Sequence, residues 1–202
     1  EYSYSRFTNR TNPYWVLSKV RQNVIRDRVF GNLSLKYDVT KWLFAQVRVG
    51  QDYWSRNQNY TNSPTGKNNL NQGGINSATP GFVNGQYTQD ARTFRETNVD
   101  FLISATKTFG DIGVNLTGGG NQMYRRSDLN SVQVTDFVVK DLYTVQNGRL
   151  KDPTYDRSER AVNSLYGSAE INYKQFLYLN ATVRNDWFST LSPENRSILY
   201  PS

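Results

Sequence analysis

Six stretches of this chain alternate apolar and polar residues, and they come in pairs, with a tight turn inside each pair and a long polar segment between pairs. In Leu43-Ala45-Val47-Val49 the apolar row points one way, while Gln46, Arg48, Gly50 and Asp52 point the other. A sheet built this way has one oily face and one wet, charged face. The stretches are about twice as long as an ordinary strand of ~5–6 residues. A transmembrane barrel wall, with lipid outside and water inside, has this design.

Composition narrows the alternatives. The 202 residues are 37% hydrophobic, with a mean hydropathy of −0.71. The longest apolar run, Tyr14-Trp15-Val16-Leu17, falls far short of the ~20 residues a spanning helix needs. A barrel escapes that requirement because only alternate residues meet lipid. The chain holds neither cysteine nor histidine, which removes disulfides, thiolate chemistry, the commonest zinc ligand and every Ser-His or Cys-His nucleophile. The net charge of +7 arises from 24 basic and 17 acidic residues. Arg125-Arg126 and Arg157/Arg160 fall in expected loops and read as solvated charge, with lipid head groups or an anionic ligand as the sharper alternative. No stacking-aromatic motif points to nucleic acid. The sequence opens at Glu1 without a signal-peptide pattern and stops at Tyr200-Pro201-Ser202, so both ends are expected to be cuts through a larger protein.

The alternation predicts six antiparallel strands at about 28–39, 42–54, 95–108, 112–124, 160–173 and 176–187, with residues 1–23 as the end of a loop. Thr40-Lys41, Gly110-Asp111 and Lys174-Gln175 are the expected turns. Residues 55–94 and 125–158 are the expected long loops, the second with a short strand around Val132–Val139. All short turns then fall at one end of the sheet and both long loops at the other, as in outer-membrane barrels with periplasmic turns and extracellular loops. The oily row, expected to face lipid, comprises Leu33, Leu35, Leu43, Ala45, Val47, Val49, Val99, Phe101, Ile103, Val114, Leu116, Leu165, Ile171, Leu177, Leu179 and Val183. Arg48, Asp52, Glu170, Arg184 and Asp186 are expected to face the lumen.

Aromatics mark both ends: Tyr37, Trp42, Phe44, Phe109, Tyr173, Phe176 and Tyr178 near the turns, and Tyr53, Trp54, Phe94, Tyr124, Trp187 and Phe188 near the loops. Two bands imply two interfaces around an oily zone. Glycine and alanine on the oily row argue the same way. A soluble sandwich would carry voids there costing about 1 kcal/mol each, whereas acyl chains fill them.

Asn12-Pro13-Tyr14-Trp15, Arg26-Asp27-Arg28-Val29-Phe30-Gly31-Asn32 and Leu35-Lys36-Tyr37-Asp38-Val39-Thr40-Lys41-Trp42-Leu43 resemble the SusC/RagA family of TonB-linked outer-membrane receptors. So do Ser164-Leu165-Tyr166-Gly167, Ala181-Thr182-Val183-Arg184-Asn185-Asp186-Trp187-Phe188-Ser189-Thr190-Leu191 and Tyr200-Pro201-Ser202. The resemblance spans nearly the whole chain and implies a plugged barrel of the 22-stranded type. It further implies import of nutrients such as glycans or peptides, energy from the TonB complex, and a SusD-like surface lipoprotein as a lid. Neither a plug nor a TonB box is visible in this sequence; in the family both lie N-terminal to the barrel.

Other chemistry is weakly signalled. Asp152, Asp156 and Glu159 lie close in sequence but match no EF-hand spacing. Glu170 and Asp186 invite a carboxylate-only glycosidase reading, and Trp15, Trp54 or Trp187 a soluble carbohydrate-binding β-sandwich. Asn59 opens a glycosylation sequon. Gly118-Gly119-Gly120 lacks the Lys-Ser/Thr of a phosphate loop and reads as a flexible strand end. The expected assignment is a non-enzymatic wall segment without cofactor or metal, in the cell outer membrane, completed by the rest of the same receptor.

Overall fold

The computed structural model describes residues 13–62, 85–139 and 141–202. They form a short helix, α1 (Pro13–Lys19), and a single antiparallel sheet of seven strands: β1 (Val20–Thr40), β2 (Leu43–Asn62), β3 (Gln86–Phe109), β4 (Ile112–Phe137), β5 (Gly148–Tyr173), β6 (Leu177–Phe188) and β7 (Ser197–Pro201). Each strand pairs with its neighbours in sequence, and the sheet is not closed within this chain. A β-sandwich needs a second sheet, and the described residues supply none.

The strands differ from the sequence-based limits in an instructive direction. At the turn ends they stop close to where expected. At the loop ends they run on well into the segments assigned to loops, 55–94 and 125–158, and β1 begins within the segment read as loop. Alternation is imposed only where one face must be oily; where both faces are wet the backbone ladder continues without leaving that signature. The Val132–Val139 segment is accordingly the end of β4 and the start of the turn after it, not a separate strand. Residues 1–12 and the Asn68–Gly74 run lie outside the described residues.

β7 was not anticipated. It is short and ends in Pro201, which has no N–H to give; proline is confined to edge strands for this reason, and β7 is the last strand of the sheet. Leu199 pairs with Asn185 and Ile198 with Asp186.

The turns follow local chemistry. Gly110 takes φ +58°, a left-handed conformation that favours glycine. Lys174 and Gln175 both lie at positive φ (+51° and +55°), the two-residue hairpin geometry that matches strand twist, and Phe176 N–H donates to Tyr173 O at 3.0 Å. The first turn is centred one residue later than expected, on Lys41–Trp42, where Trp42 N–H donates to the Thr40 hydroxyl at 3.4 Å.

Contacts divide the chain into two compact units. One comprises Arg28–Trp54, Phe94–Ser127 and Ser158–Ser202, the other Glu1–Asp27, Ser55–Thr93 and Asp128–Arg157. The first is the alternating wall. The second has a small core of its own, Tyr87, Val134 and Phe137, with Val132, Tyr143 and Val145 packed against it. Phe137 and Tyr143 meet edge to face at 5.8 Å.

Asn147 anchors the connection between β4 and β5. Its buried amide accepts from Val139 N–H (2.8 Å) and donates to Val139 O (2.7 Å) and Leu142 O (2.6 Å). Asn147→Ala strands those backbone groups, and each buried group left unpaired costs about 1–3 kcal/mol. The expected outcome is local opening favoured by about 2 kcal/mol, read as roughly 30-fold faster hydrogen exchange at the Val139 amide with the strands unchanged.

Candidate functional site

The pairing of β5 with β6 shows how alternation sorts chemistry onto faces. Ile171 stands opposite Leu179, Ala169 opposite Ala181 and Gly167 opposite Val183. On the other face Glu170 stands opposite Asn180, Ser168 opposite Thr182 and Ser164 opposite Asp186. Directly opposed residues of an antiparallel pair share a face, so oily meets oily and polar meets polar through the middle of the hairpin, while Leu165 opposite Asn185 and Asn163 opposite Trp187 mix the two at its loop end.

On the oily face, Leu33, Leu35, Val47, Val49, Val99, Phe101, Ile103, Leu116, Leu165, Ile171, Leu177, Leu179 and Val183 are exposed, and Leu43, Ala45 and Val114 half so. Leu179 is 68% accessible and Val183 47%, whereas Ser164 and Asp186 on the polar face are 3% and 9% accessible. Gly118, Gly167, Ala169 and Ala181 leave a shallow groove of about 620 Å³ on the oily face, bordered by Phe101, Ile103, Leu116 and Val183. Polar pairs interrupt this face at the loop end: Thr97 Oγ1 donates to Gln51 Oε1 at 2.8 Å, Gln122 Nε2 to Asn163 Oδ1 at 3.1 Å, and Asn185 Nδ2 to Ser197 Oγ at 3.0 Å. They bound the oily zone on one side.

Aromatics and cations coincide at both ends of the wall. Near the turns Lys36 lies over Phe44 (4.3 Å), Lys107 over Phe109 (5.2 Å) and Lys174 over Tyr173 (5.4 Å). Near the loop ends the cations are arginines: Arg28 over Phe30 (5.0 Å), Arg125 over Phe94 (5.5 Å) and Arg160 over Phe188 (5.8 Å). Such contacts suit side chains whose stems lie on apolar surface while their charged heads stay wet.

The polar face is a network of charge-assisted hydrogen bonds. Arg28 grips Asp52 through two nitrogens at 2.9 and 2.8 Å. Arg48 donates to Asp100 at 3.2 Å, and Asn121 donates to the same carboxylate at 2.8 Å. Arg125 holds Glu96 at 2.9 and 2.7 Å, and Phe94 beneath Arg125 stacks on Trp54 with centroids 5.2 Å apart. Arg184 donates to Asp186 at 2.7 Å and to Ser164 at 3.0 Å. Sequence reasoning named Arg48, Asp52, Arg184 and Asp186 but missed Asp100, Glu96, Asn121 and Ser164. The parity of each strand would have placed them; which partner each one meets needed the register.

The candidate catalytic pair is not brought together. Glu170 and Asp186 stand opposite Asn180 and Ser164, so they lie six positions apart along the hairpin. At ~3.3 Å per residue that is about 20 Å, twice the ~5–10 Å that glycoside hydrolysis requires between its carboxylates. Asp152, Asp156 and Glu159 lie on β5 rather than in a loop, and Glu159 faces Arg126 at 4.0 Å. Among the described residues no group of three or more potential ligands gathers around a metal position. Asn59 and the arginines at 125, 126, 157 and 160 likewise lie in strands, not loops. Gly118-Gly119-Gly120 sits within β4 instead of at a flexible strand end; Phe101 and Tyr166 crowd the space beside Gly119, and Phe101 and Leu165 that beside Gly120, while Gly118 faces open space.

In the loop-end unit, an open cleft of about 520 Å³ is lined by Lys19, Arg21, Asn59, Thr61, Tyr87, Asp141 and Tyr143 among others, with Lys19 and Asp141 3.9 Å apart. Burial pushes the Tyr60 phenol in this unit above its ordinary pKa.

No protein-family model matches the chain, and no curated protein is significantly similar to it. Solved structures do match in fold. A chain of the RagAB peptide importer in its closed-closed state superposes with a TM-score of 0.79 at 16% identity, over 95% of this chain and 20% of that one. A RagAB peptide transporter structure gives 0.77 at 17% identity, over 99% and 22%. The open-open importer gives 0.75 at 17% identity, over 99% and 21%. This chain therefore has the fold of one stretch of those much longer chains, about a fifth of their length.

Proposed function

We propose that this chain is a wall segment of a TonB-dependent outer-membrane receptor that imports nutrient oligomers, glycans, peptides or similar, with a SusD-like lipoprotein as its lid. The oily row meets acyl chains. The polar row lines the lumen and meets the plug supplied by the rest of the receptor, and the loop ends of β1–β5 form the extracellular mouth. The mechanism is passive at this level: TonB pulls on the plug, and the wall keeps its shape because its charges are already paired along the sheet.

One observation carries this reading: a continuous apolar face, uncovered by any second layer among the described residues, on a sheet that shares its fold with the RagAB chains. A soluble domain rarely leaves more than a few hundred Å² of contiguous apolar surface open to water. Nitroxides placed at Val47 and Val183 of the full receptor in phospholipid vesicles are expected to collide with oxygen in the acyl region. Strong protection from both oxygen and water-soluble quenchers at these sites would mean a dry protein interior and would overturn the proposal.

A further inference from the structure

In the turn half of the wall, strand parity puts a cation into the apolar row of β3. Lys107 stands two residues beyond Ala105 and four beyond Ile103, and it is exposed. Ser104 beside Thr117 and Thr106 beside Asn115 set Ile103 opposite Gly118. Gly119 against Tyr166 and Gln122 with Asn163 set Gly118 opposite Gly167. The row Ile103–Gly118–Gly167 belongs to the apolar groove of about 620 Å³, and Ala105 lines its side nearest Lys107. From Lys107 to that row is about 13 Å along the strand, or about 10 Å of depth at the ~40° tilt of barrel strands. One leaflet holds about 15 Å of hydrocarbon, half of a ~30 Å core. A chain that leaves a head group at Lys107 therefore reaches the groove within its own leaflet.

The ammonium of Lys107 is positioned by rings rather than by a carboxylate. It lies 5.2 Å from the centre of the Phe109 ring and 5.8 Å from that of Trp42. Ring faces attract a cation without using its N–H donors, which stay available to an anion. Both rings are exposed, and aromatics of this kind gather at the head-group level of a membrane. Lys41, next to Trp42 in the turn, is a second exposed cation. Among the described residues neither lysine has a carboxylate within 4 Å. The acids of this end are held elsewhere: Asp38 lies 3.3 Å from Lys36, and Asp111 3.4 Å from Lys174. Glu170 stands on the polar face, opposite Asn180.

We infer that this part of the wall holds one anionic phospholipid of the leaflet at the turn end, its phosphate on Lys107 and Lys41 and an acyl chain in the groove. This rests on the transporter reading above and adds a specific lipid partner to it. Charge complementarity decides the occupant. Two cations without acids, at the rim of an apolar groove, match a head group of net negative charge joined to a hydrocarbon chain. A zwitterionic lipid brings a cation of its own to the same place. A second copy related by a two-fold axis along the membrane normal would bring the same lysines to the same depth, cation against cation.

The test titrates the complete receptor with its lipoprotein, in detergent, with phosphatidylglycerol or phosphatidylcholine of identical chains. Native mass spectrometry counts the lipid bound. The wild type is expected to hold one phosphatidylglycerol about five-fold more tightly than phosphatidylcholine, the preference one lysine gives at an anionic lipid surface. K41Q/K107Q is expected to bring the two lipids within about two-fold of each other, whereas K174Q, which removes charge from the same end of the wall, keeps the preference. Gly118→Leu fills the groove from a position where a Cβ meets nothing within 4 Å; it is expected to weaken both lipids together and leave their ratio unchanged. Should Gly118→Leu fail to assemble, Ala181→Leu fills the same groove from β6. A wild type without preference, a K174Q as damaging as K41Q/K107Q, or groove variants that leave both affinities unchanged overturns the inference. So does displacement of the lipid by an equal concentration of glycerophosphoglycerol, which marks a site for the head group alone, or a receptor that takes up no lipid because a second copy covers this face. None of these outcomes alters the nitroxide result at Val47 and Val183, which judges the transporter reading separately.

Discussion

Val47→Arg in the full receptor is expected to lower its unfolding free energy in phospholipid vesicles by about 2–4 kcal/mol, while Gln46→Arg, one residue away, leaves it within about 0.5 kcal/mol. The argument is geometric. Val47 stands midway along the oily row between Leu43 at the turn end and Gln51, whose side chain accepts from Thr97. That row spans about 26 Å at ~3.3 Å per residue, or about 20 Å of depth at the ~40° tilt of barrel strands. A guanidinium at Val47 is therefore as far from either interface as this wall allows, and its stem cannot carry the charge out to water without a cost. Gln46 lies on the face that already holds Arg48 and Asp100, where another cation stays hydrated, and Lys36 across the ladder already has Asp38 3.3 Å away to offset the added charge. Urea titrations followed by tryptophan fluorescence measure both variants. Equal costs at the two positions would remove the distinction between faces on which the transporter reading stands.

The fold was legible where one face of the sheet is oily and the other wet, and illegible where both faces are polar. Leu43-Ala45-Val47-Val49 and Leu177-Leu179-Ala181-Val183 could be read directly, because an oily face on one side and a wet face on the other force strict alternation. Lys174-Gln175 could be read as a turn because it separates two such rows by two residues. The loop-end continuations of β1 to β5 could not, since Arg21-Gln22-Asn23 or Asn57-Gln58-Asn59 is polar on both faces and reads as loop. β7 escaped for a different reason: five residues ending in proline carry too little pattern. The polar face was half legible. Parity placed Arg48 and Asp186 on it, but the partners of each appear only when the register of one strand against the next is known.

The glycine run in β4 gives the second large effect, because adjacent positions should respond in opposite senses. A Cβ on Gly119 would lie 2.5 Å from the backbone oxygen of Phe101 and 2.6 Å from the ring of Tyr166. Tyr166 could swing aside, but the Phe101 carbonyl belongs to β3 and cannot yield without separating the two strands. Gly119→Val is therefore expected to cost about 3 kcal/mol, the upper range for overpacking, and to cut the yield of assembled receptor. Gly118 points to the opposite, oily face, where a Cβ meets nothing within 4 Å. Gly118→Ala removes backbone freedom from the unfolded chain and adds apolar surface where the groove between Leu116 and Gly167 lies open; it is expected to stabilise by about 0.5–1 kcal/mol. Denaturation midpoints of the two variants in the same vesicles decide the matter. If Gly119→Val were tolerated as readily as Gly118→Ala, the run would be a slack strand end after all, and the close β3–β4 approach that carries the polar network of Asp100 and Asn121 would not exist in solution.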